Sequence, residues 1–365
     1  MQMLSTLKGN LYNIPGWRTK RHIVVIESDD WGSIRMPSRA VCDELKAAGV
    51  KLGSYGYDEF DTIASCDDLQ SLFEVCQSVR DIHNRPAIIT ANCVVANPDF
   101  EKIKVHDYSD YYYEPVTATL AHYYPGASPF SLWHEGRDKM VFYPQLHGRE
   151  HVNVQMWLNS LRKNHNGARA AFDKGVYSIV VDKSEDPRMR NTTAFRYLSE
   201  EEKPFYKTSI EGAQRLFTEL FNYPSESFIA PAYCWDEDIE CWLSEVGVKY
   251  IQGVPMHFYR GKRRFHSVGQ RNKYGQRFLI RNVEWEPTQT PGKDSNGECM
   301  RQIAAAFRWG KPATISAHRI NFVGALDVRN RDRNLRLLDE LLHSIKKEWP
   351  DVEFMSTPEL GSIIV

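Results

Sequence analysis

Short apolar segments recur along the whole chain, and residues typical of turns bound each of them. They read HIVVIES, PAIITAN, MVFYPQLHG, GVYSIVV, SFIAPAY, VKYIQG, PATISAH and DVEFMS, and they begin at residues 22, 86, 140, 175, 227, 248, 312 and 351. Most lack a strict alternation of apolar and polar residues. Strands that are buried on both faces, as in a parallel sheet, have sequences of this kind.

Helical patterns lie between these segments. Apolar residues recur at helical spacing in 69–76, 239–246 and 338–345, and Asp236 and Gly247 are candidate caps of the second pattern. Strand and helix alternate about seven or eight times along the chain. This alternation predicts an α/β fold, a distorted (β/α) barrel of about seven parallel strands.

Two segments interrupt the alternation. Residues 101–139 are too long and too aromatic for a simple connection, and residues 257–290 resemble a basic hairpin insertion that turns at KYGQ. The chain contains no internal repeat and no low-complexity linker. The sequence therefore predicts one domain over residues 1–365 with insertions near 101–139 and 257–290.

Composition excludes several classes of protein. The chain has 46 Lys and Arg against 47 Asp and Glu, so no global positive field favours nucleic acid. Its seven cysteines are scattered, which is typical of reduced thiols rather than of a disulfide framework. No segment approaches the roughly 20 apolar residues of a membrane span, and the N-terminus lacks a signal-peptide pattern. We therefore expect a cytoplasmic protein.

A doubled carboxylate ends the first apolar segment. Asp29 and Asp30 follow HIVVIES, at the end of a strand where the active face of a (β/α) barrel lies. Because successive strand residues point to opposite faces, one carboxylate is expected in the barrel mouth and the other around its rim. The alternative is that either residue only caps the following helix.

Histidines follow two other segments. His147 and His151 are spaced i, i+4 in LHGREH, and on a helix this spacing would offer two nitrogens to one metal ion. Together with one carboxylate they would supply three protein ligands and leave a position open for water or substrate. His318 directly follows PATISA and is either a structural histidine or a general acid.

Together these ordered motifs resemble the polysaccharide deacetylase family, the NodB-homology fold of the glycoside hydrolase/deacetylase type. The resemblance implies that Asp29 is the catalytic base, that Asp30, His147 and His151 bind the metal, and that His318 is the general acid. The closing VEFMSTPELGSII is similar to the last strand and helix of the family, with Ser356 or Thr357 as the helix cap.

The chain departs from the family pattern at three places. APAYCWD puts Ala230 where the family has the arginine that orients the base; Arg281, Arg319 and Arg35 are candidate replacements. In the same motif the backbone N–H of Tyr233 is expected to stabilise the oxyanion. Ser316 replaces a leucine, which implies a differently shaped acyl pocket, and NVEWEP, with Trp285 and Glu286, is only a loose counterpart of the Asp/Trp motif.

The resemblance implies metal-dependent removal of an acetyl group from a sugar or polysaccharide precursor, with an N-acetyl group as the first candidate. Zinc is the expected metal, with cobalt, manganese or nickel as alternatives, and an acetylated sugar or glycan is the expected partner. Candidate substrate contacts are Trp31, Asn92 and Trp285. One alternative is a barrel glycoside hydrolase that pairs Asp29 with Asp236 or Glu286. Another is a metal-binding protein that binds sugars but catalyses weakly.

Overall fold

Thirteen strands and the helices between them account for most of the described chain. The structure is a computed structural model of the 365-residue chain, and it describes residues 10–53, 56–165, 167–179, 191–259 and 262–365. The strands are β1 (Ile23–Trp31), β2 (Ile89–Val94), β3 (Ala96–Pro98), β4 (Tyr113–Pro115), β5 (Phe142–Gly148), β6 (Ser227–Phe228), β7 (Tyr250–Gly253), β8 (Met256–Tyr259), β9 (Lys262–Phe265), β10 (Arg277–Ile280), β11 (Val283–Glu284), β12 (Ala313–His318) and β13 (Glu353–Met355).

The helices follow the strands as the alternation predicts. The α-helices are α1 (Arg39–Ala47), α2 (Tyr57–Phe60), α3 (Cys66–Gln77), α4 (Phe100–Val105), α5 (Val116–Tyr123), α6 (Pro129–Asp138), α7 (Val154–Arg162), α8 (Ala168–Phe172), α9 (Lys203–Phe221), α10 (Glu237–Glu245), α11 (Ser295–Arg308), α12 (Val328–Glu348) and α13 (Thr357–Ile363). Short 3₁₀ helices occupy Glu200–Glu202, Pro231–Tyr233 and Arg319–Asn321. In the described part of the chain, no helix is both long enough and apolar enough to cross a bilayer.

Nine of the strands form one sheet, in the order β10-β7-β6-β5-β2-β1-β12-β11, with β13 paired to the beginning of β1. Every pairing in this sheet is parallel. All nine residues of β1 are buried, which agrees with a strand covered on both faces. The predicted class, a distorted (β/α) barrel of parallel strands, is confirmed.

Residues 277–284 join the two ends of this strand order. They pair with β7 as β10 and with β12 as β11. Between the two strands, the N–H of Arg281 donates to Gly253 O at 2.8 Å and the N–H of Asn282 donates to Thr314 O at 3.2 Å. One continuous stretch of chain therefore closes the sheet, and Arg281 lies at the point of closure.

The segments predicted as strands mostly match the structure. Seven of the eight contribute a strand of the main sheet, from β1 to β13. The exception is 175–181, in which Ile179 makes an isolated antiparallel bridge to Leu52 and residues 180–181 lie outside the described residues.

The predicted insertion at 257–290 needs correction. It contains β8 and β9, an antiparallel pair, and a turn at residues 272–276 where the N–H of Asn272 donates to Gln276 O at 3.0 Å. However, β10 and β11 are strands of the main sheet, so this region is not an addition to the barrel. The parallel pairing of β10 depends on β7, which the local sequence does not reveal.

Local signals fix the helix ends. Ser65 forms a capping box with Asp68 at the start of α3, and Ser356 forms one with Glu359 at the start of α13. Asp236 caps α10 by accepting from the N–H groups of Asp238 and Ile239, as predicted. The predicted apolar face of α3 (Leu69, Leu72, Phe73, Cys76) is buried against the sheet.

Phe142, the first residue of β5, is central to the packing between the sheet and the helices that cover it. Its ring is fully buried and contacts the rings of Trp31, Phe73 and Trp133 at centroid distances of 4.8, 5.7 and 5.6 Å. If this ring were removed, its neighbours could not relax enough to fill the space that it leaves.

We expect Phe142→Ala to lower the free energy of unfolding by about 3–5 kcal/mol, because it removes a buried ring and leaves a cavity. Urea unfolding followed by tryptophan fluorescence would measure the loss. Val105→Ala, at a position that is 79% exposed, is the control and should change stability by less than about 0.5 kcal/mol. A loss below about 1 kcal/mol for Phe142→Ala would contradict this description of the core.

Candidate active site and metal centre

The carboxyl ends of the parallel strands bring most of the predicted site residues together. Asp29 and Asp30 lie near the end of β1, His147 lies near the end of β5 and His318 ends β12. Tyr233 closes the 3₁₀ helix that follows β6. This is the end of the sheet at which (β/α) barrels carry their active sites.

Asp30 interrupts the regular alternation of β1. Its φ is +73°, in the left-handed region, and the pairing of β1 with β2 shifts register between Ser28 and Trp31. The turn is held by Ser33, whose N–H and hydroxyl both donate to Asp30 O, at 3.2 and 2.9 Å. Both aspartates are consequently buried among the site residues, rather than one in the mouth and one around the rim as alternation predicted.

The HxxxH segment is not helical, although the motif was expected to bring its two histidines together on a helix. His147 belongs to β5, at a register shift against β2, and His151 lies in the loop that follows. Gly148, between them, has a φ of +126°. The two rings nevertheless meet, with centroids 5.0 Å apart. A bulged strand end and a turn therefore do what a helical turn was expected to do.

Asp30, His147 and His151 form a buried cluster whose ligand atoms all lie within 4.8 Å of one another. Asp30 Oδ1 is 2.9 Å from His151 Nε2 and 3.5 Å from His147 Nε2. His147 Nδ1 is 2.9 Å from Ile229 O, a hydrogen bond that places the proton on Nδ1 and leaves Nε2 free as a ligand. This donor set, two imidazoles and one carboxylate, fits a divalent cation such as zinc.

The electrostatics of the cluster also suit a cation. Burial lowers the pKa of His151 to about 4, against the opposing charge of Asp30, so its imidazole is neutral at pH 7. Burial raises the pKa of Asp30, but His151 and Arg35 outweigh it and hold that pKa well below its usual range. His151 thus presents a neutral nitrogen and Asp30 an ionised oxygen, which are the forms that bind a metal ion.

Arg281, one of the three arginines that the sequence offers in place of the arginine expected at Ala230, is the one that contacts Asp29. It donates to both oxygens of Asp29, from Nη2 to Oδ1 at 2.6 Å and from Nη1 to Oδ2 at 2.7 Å. Asn92 adds a third hydrogen bond, from Nδ2 to Asp29 Oδ1 at 2.8 Å. Burial raises the pKa of Asp29, but the charge and hydrogen bonds of Arg281 outweigh it and lower that pKa to about 2.

Glu27, Ser316 and Tyr233 hold Arg281 in this position. Its Nε donates to Glu27 at 2.6 Å, and Glu27 in turn accepts from the Thr357 hydroxyl at 2.7 Å. Nη1 also lies 3.3 Å from Ser316 Oγ and 3.1 Å from the Tyr233 hydroxyl. Ser316 is therefore part of the environment of Arg281, because its hydroxyl contacts the guanidinium directly.

The Tyr233 N–H is already engaged within its own turn. It donates to Ala230 O at 2.9 Å, in a 3₁₀ turn in which Ala232 and Tyr233 have φ values of 56° and 52°. In this conformation it has no proton to offer an oxyanion. The Tyr233 hydroxyl, bonded to Arg281, is the part of the residue that faces the site.

Among the described residues, His318 forms a hydrogen bond through one of its two ring nitrogens. Its Nδ1 forms a short hydrogen bond with Glu286, whereas its Nε2 lies 3.9 Å from Asp29 Oδ2. Asn321 and Gln289 donate to the other oxygen of Glu286, at 2.8 and 3.3 Å. Burial lowers the pKa of His318, but Glu286 outweighs it and raises that pKa to about 9. The imidazole is therefore protonated at neutral pH.

The three residues expected to contact substrate are all buried, so their positions do not support that role. Trp31 donates to Ser28 Oγ at 2.9 Å and packs in the core, and Trp285 donates to Asn296 at 2.9 Å and stacks on Phe322. Asn92 is fully buried between Asp29 and Gln252. Asn92 thus holds the carboxylate of Asp29 in place, and the two tryptophans support the strand ends.

We expect Arg281→Met to lower the free energy of unfolding by about 3–5 kcal/mol, because Asp29 and Glu27 would remain buried without their cation. Urea unfolding at pH 7 measures this. In the wild type, the lowered pKa of Asp29 means that its stabilisation is present above pH 3.8 and is lost as the pH falls towards about 2. Arg329→Met, at an exposed arginine paired with Asp327, is the control. Equal stabilities of the two variants would contradict the role of Arg281 as the partner of Asp29 and Glu27.

Glu286→Gln should lower the pKa of His318 by about 1–3, because it removes the charge that favours the imidazolium. Titration of the His318 ring signals by NMR measures the change. Since the folded pKa is raised from 6.5 to about 9, the stabilisation by this pair is present below pH 6.5 and is lost as the pH rises through 9. Glu298→Gln, on the surface of α11, is the control, and an unchanged His318 titration in Glu286→Gln would refute the pairing.

Comparisons with known proteins give similarity at the level of the fold. No protein-family model matches the chain, and no curated protein matches its sequence. Among solved structures, a protein from Parabacteroides distasonis described as a glycoside hydrolase/deacetylase matches with a TM-score of 0.50 and 12% identity, over 95% of this chain and 72% of that one.

Two further solved structures match less closely in backbone. A polysaccharide deacetylase from Mycobacterium smegmatis has a TM-score of 0.47 and 8% identity, over 96% of this chain and 92% of that one. A CE4 family pseudoenzyme from Bacillus anthracis has a TM-score of 0.40 and 10% identity; the match covers 93% of this chain but spans only 65% of that protein. The chain thus has the (β/α)-barrel fold of the glycoside hydrolase/deacetylase type, which its motifs had indicated.

Proposed function

We propose that this protein is a metal-dependent hydrolase that removes an acetyl group from a sugar or a polysaccharide precursor, with an N-acetyl group as the first candidate. One observation carries the proposal. A buried Asp-His-His cluster, Asp30, His147 and His151, lies beside an ionised carboxylate, Asp29, and a protonated imidazole, His318. Amide hydrolysis needs these parts: an electrophile for the carbonyl, a base for water and an acid for the departing amine.

Asp30, His147 and His151 would hold the cation, with zinc as the first candidate. When bound, such a cation supplies a Lewis acid that polarises the acyl carbonyl and makes water more acidic. Asp29, ionised and fixed by Arg281 and Asn92, would orient the attacking water and accept its proton. Because both oxygens of Asp29 already accept hydrogen bonds, it is a weak base whose merit is its fixed position.

His318 would donate the second proton. Its Nδ1 is held by Glu286, so the Nε2–H is the proton available to the leaving nitrogen, and a pKa of about 9 keeps it there at neutral pH. His318 Nε2 lies 3.9 Å from Asp29 Oδ2, which is beyond hydrogen-bond distance. The proposed acid and base therefore lie on the same side of the site, and the proton would return from Asp29 to His318 through solvent after turnover.

A glycoside hydrolase is less well supported by the same residues. Such an enzyme needs one carboxyl group that is protonated at neutral pH. Asp29 has a lowered pKa, Glu286 is bonded to His318, and Asp236 caps α10 and accepts from Tyr197. A sugar-binding protein without turnover would retain the cluster, and only assays of acetate release separate it from the proposed hydrolase.

The test is a screen of acetylated sugars for acetate release, with protein that has been stripped by a chelator and then reloaded with zinc. We expect turnover only after reloading. His147→Ala should lose stoichiometric zinc and at least about 100-fold in kcat/KM, because a ligand contributes more than the groups that support it. His343→Ala, on the exposed face of α12, is the matched control. A fully active, metal-free His147→Ala protein would disprove the assignment.

A further inference from the structure

The proposed acid depends on a carboxylate that lies outside the main sheet. His318 Nδ1 is hydrogen-bonded to Glu286 Oε1, and Glu286 lies two residues beyond β11, in the segment before α11. The χ2 torsion of histidine and the χ3 torsion of glutamate are broad, so neither side chain fixes its own orientation. Strand pairing holds the main chain of His318 against Asp29 in β1, but it restricts neither torsion. A further contact is therefore needed to keep the Nε2–H of His318 facing the site.

Asn321 contacts both members of this pair. It ends the 3₁₀ helix that directly follows His318, and its side chain is fully buried. Its Nδ2 donates to Glu286 Oε2 at 2.8 Å and to His318 O at 3.1 Å. A side-chain amide nitrogen carries two protons, so each of these hydrogen bonds can have its own. One group thus ties the carboxylate of Glu286 to the main chain of the histidine that it orients.

The main chain of Thr288 fixes which way this amide faces. The N–H of Thr288 donates to Asn321 Oδ1 at 3.1 Å. Because a backbone N–H can only donate, the amide oxygen must lie on the Thr288 side and the amide nitrogen on the Glu286 side. A flipped amide would place its NH2 group against that N–H and its oxygen against the buried carboxylate. The donor is therefore held in the orientation that Glu286 requires.

The other neighbours of this pair restrict the carboxylate less. Gln289 Nε2 lies 3.3 Å from Glu286 Oε2 and also donates to the Tyr57 hydroxyl, at 3.0 Å. The Tyr57 ring contacts the His318 ring edge-on, with centroids 5.8 Å apart, which restricts the imidazole but not the carboxylate. Within the described residues, loss of the Asn321 amide would leave Glu286 Oε2 with the longer of its two hydrogen bonds. Asn321 is thus the main support of this oxygen.

We propose that Asn321 is a positioning residue of the hydrolase, which acts through Glu286 to hold His318 with its Nε2–H toward the site. The inference rests on the proposed function, in which His318 is the proton donor. Proton transfer to a leaving group requires the donor and the acceptor within hydrogen-bond reach, so a ring that turns away slows that step. The orientation of the Glu286–His318 pair is itself a property of the folded chain and can be measured without substrate.

The first readout is the exchange of the His318 Nδ1–H proton with solvent, followed by NMR on the full chain labelled with 15N-histidine. The signal is assigned by its loss in His318→Gln. We expect exchange to be at least about 10-fold faster in Asn321→Leu, which keeps a similar shape but removes a hydrogen bond to a charged group.

Gln214→Met is the matched control, because Gln214 is a buried amide with the same pattern of hydrogen bonds. Its Nε2 donates to Ser225 O at 2.8 Å and to Val246 O at 3.2 Å, and its Oε1 accepts from the Ser225 N–H at 3.2 Å. In the part of the chain that the structure describes, it forms no hydrogen bond with Glu286 or His318. We expect exchange in this variant to stay within about 2-fold of the wild type, because distant sites act independently.

Two outcomes of the exchange measurement would overturn the inference. Unchanged exchange in Asn321→Leu would mean that Glu286 is held without Asn321. Equal acceleration in Asn321→Leu and Gln214→Met would mean that the loss of any buried amide loosens the chain. If Asn321→Leu does not fold, as judged by circular dichroism, Asn321→Ser replaces it, because its side chain is shorter and has a single proton to donate. Exchange at least about 3-fold faster then supports the inference, and unchanged exchange refutes it.

Turnover separates this inference from the function on which it rests. On an acetylated sugar that the wild type hydrolyses, we expect kcat of Asn321→Leu to fall at least about 10-fold with KM and zinc content unchanged, because proton donation acts in the transition state. Faster exchange with an unchanged kcat would refute the positioning role but leave the hydrolase standing. No turnover by the wild type, together with exchange that depends on Asn321, would refute the hydrolase and leave the support of Glu286 by Asn321 standing.

Discussion

Arg281 links the closure of the barrel to the electrostatics of its interior. It lies where one stretch of chain passes from β7 to β12, and its guanidinium reaches back to Glu27 and Asp29 on β1. One cation between two buried carboxylates cannot neutralise both. Burial raises the pKa of Glu27, whereas the bidentate contact lowers that of Asp29. Asp29, the carboxylate nearer the barrel mouth, thus remains ionised because Arg281, at the point where the barrel closes, is its partner.

The adjacent aspartates avoid mutual repulsion because the backbone separates their partners. The left-handed φ of Asp30 and the register shift at the end of β1 turn its carboxylate toward His147 and His151, while Asp29 faces Arg281. His147 lies at a second register shift, in β5. Bulges of this kind re-aim side chains beside active sites. The candidate metal cluster is therefore a product of two irregular strand ends, whose strain the surrounding hydrogen bonds sustain.

Local patterns predicted most of the strands and the helix caps, because each is encoded within a few neighbouring residues, whereas the resemblance supplied the set Asp30, His147 and His151 that the structure brings together. For the partner of Asp29 the sequence offered three arginines, Arg281, Arg319 and Arg35, and could not choose between them. Arg281 is 252 positions from Asp29 in the chain, and its contact depends on the pairing of β10 with β7. The burial of Trp31 and Trp285, which were expected to contact substrate, was hidden from the sequence for a related reason. An aromatic residue beside a motif looks the same in sequence whether it faces a cleft or the core.

The position of a charge matters more to this site than the motif that supplies it. At Ala230 the side chain cannot reach Asp29 as a cation, yet the requirement for one persists because Asp29 is buried. Any strand can supply this cation if one of its residues points into the barrel at the depth of Asp29 and the neighbouring side chains leave room. Ser316 leaves that room, with its hydroxyl 3.3 Å from Arg281. Ala230 in place of the expected arginine therefore does not leave Asp29 without a cation, since Arg281 supplies one from the closure of the barrel.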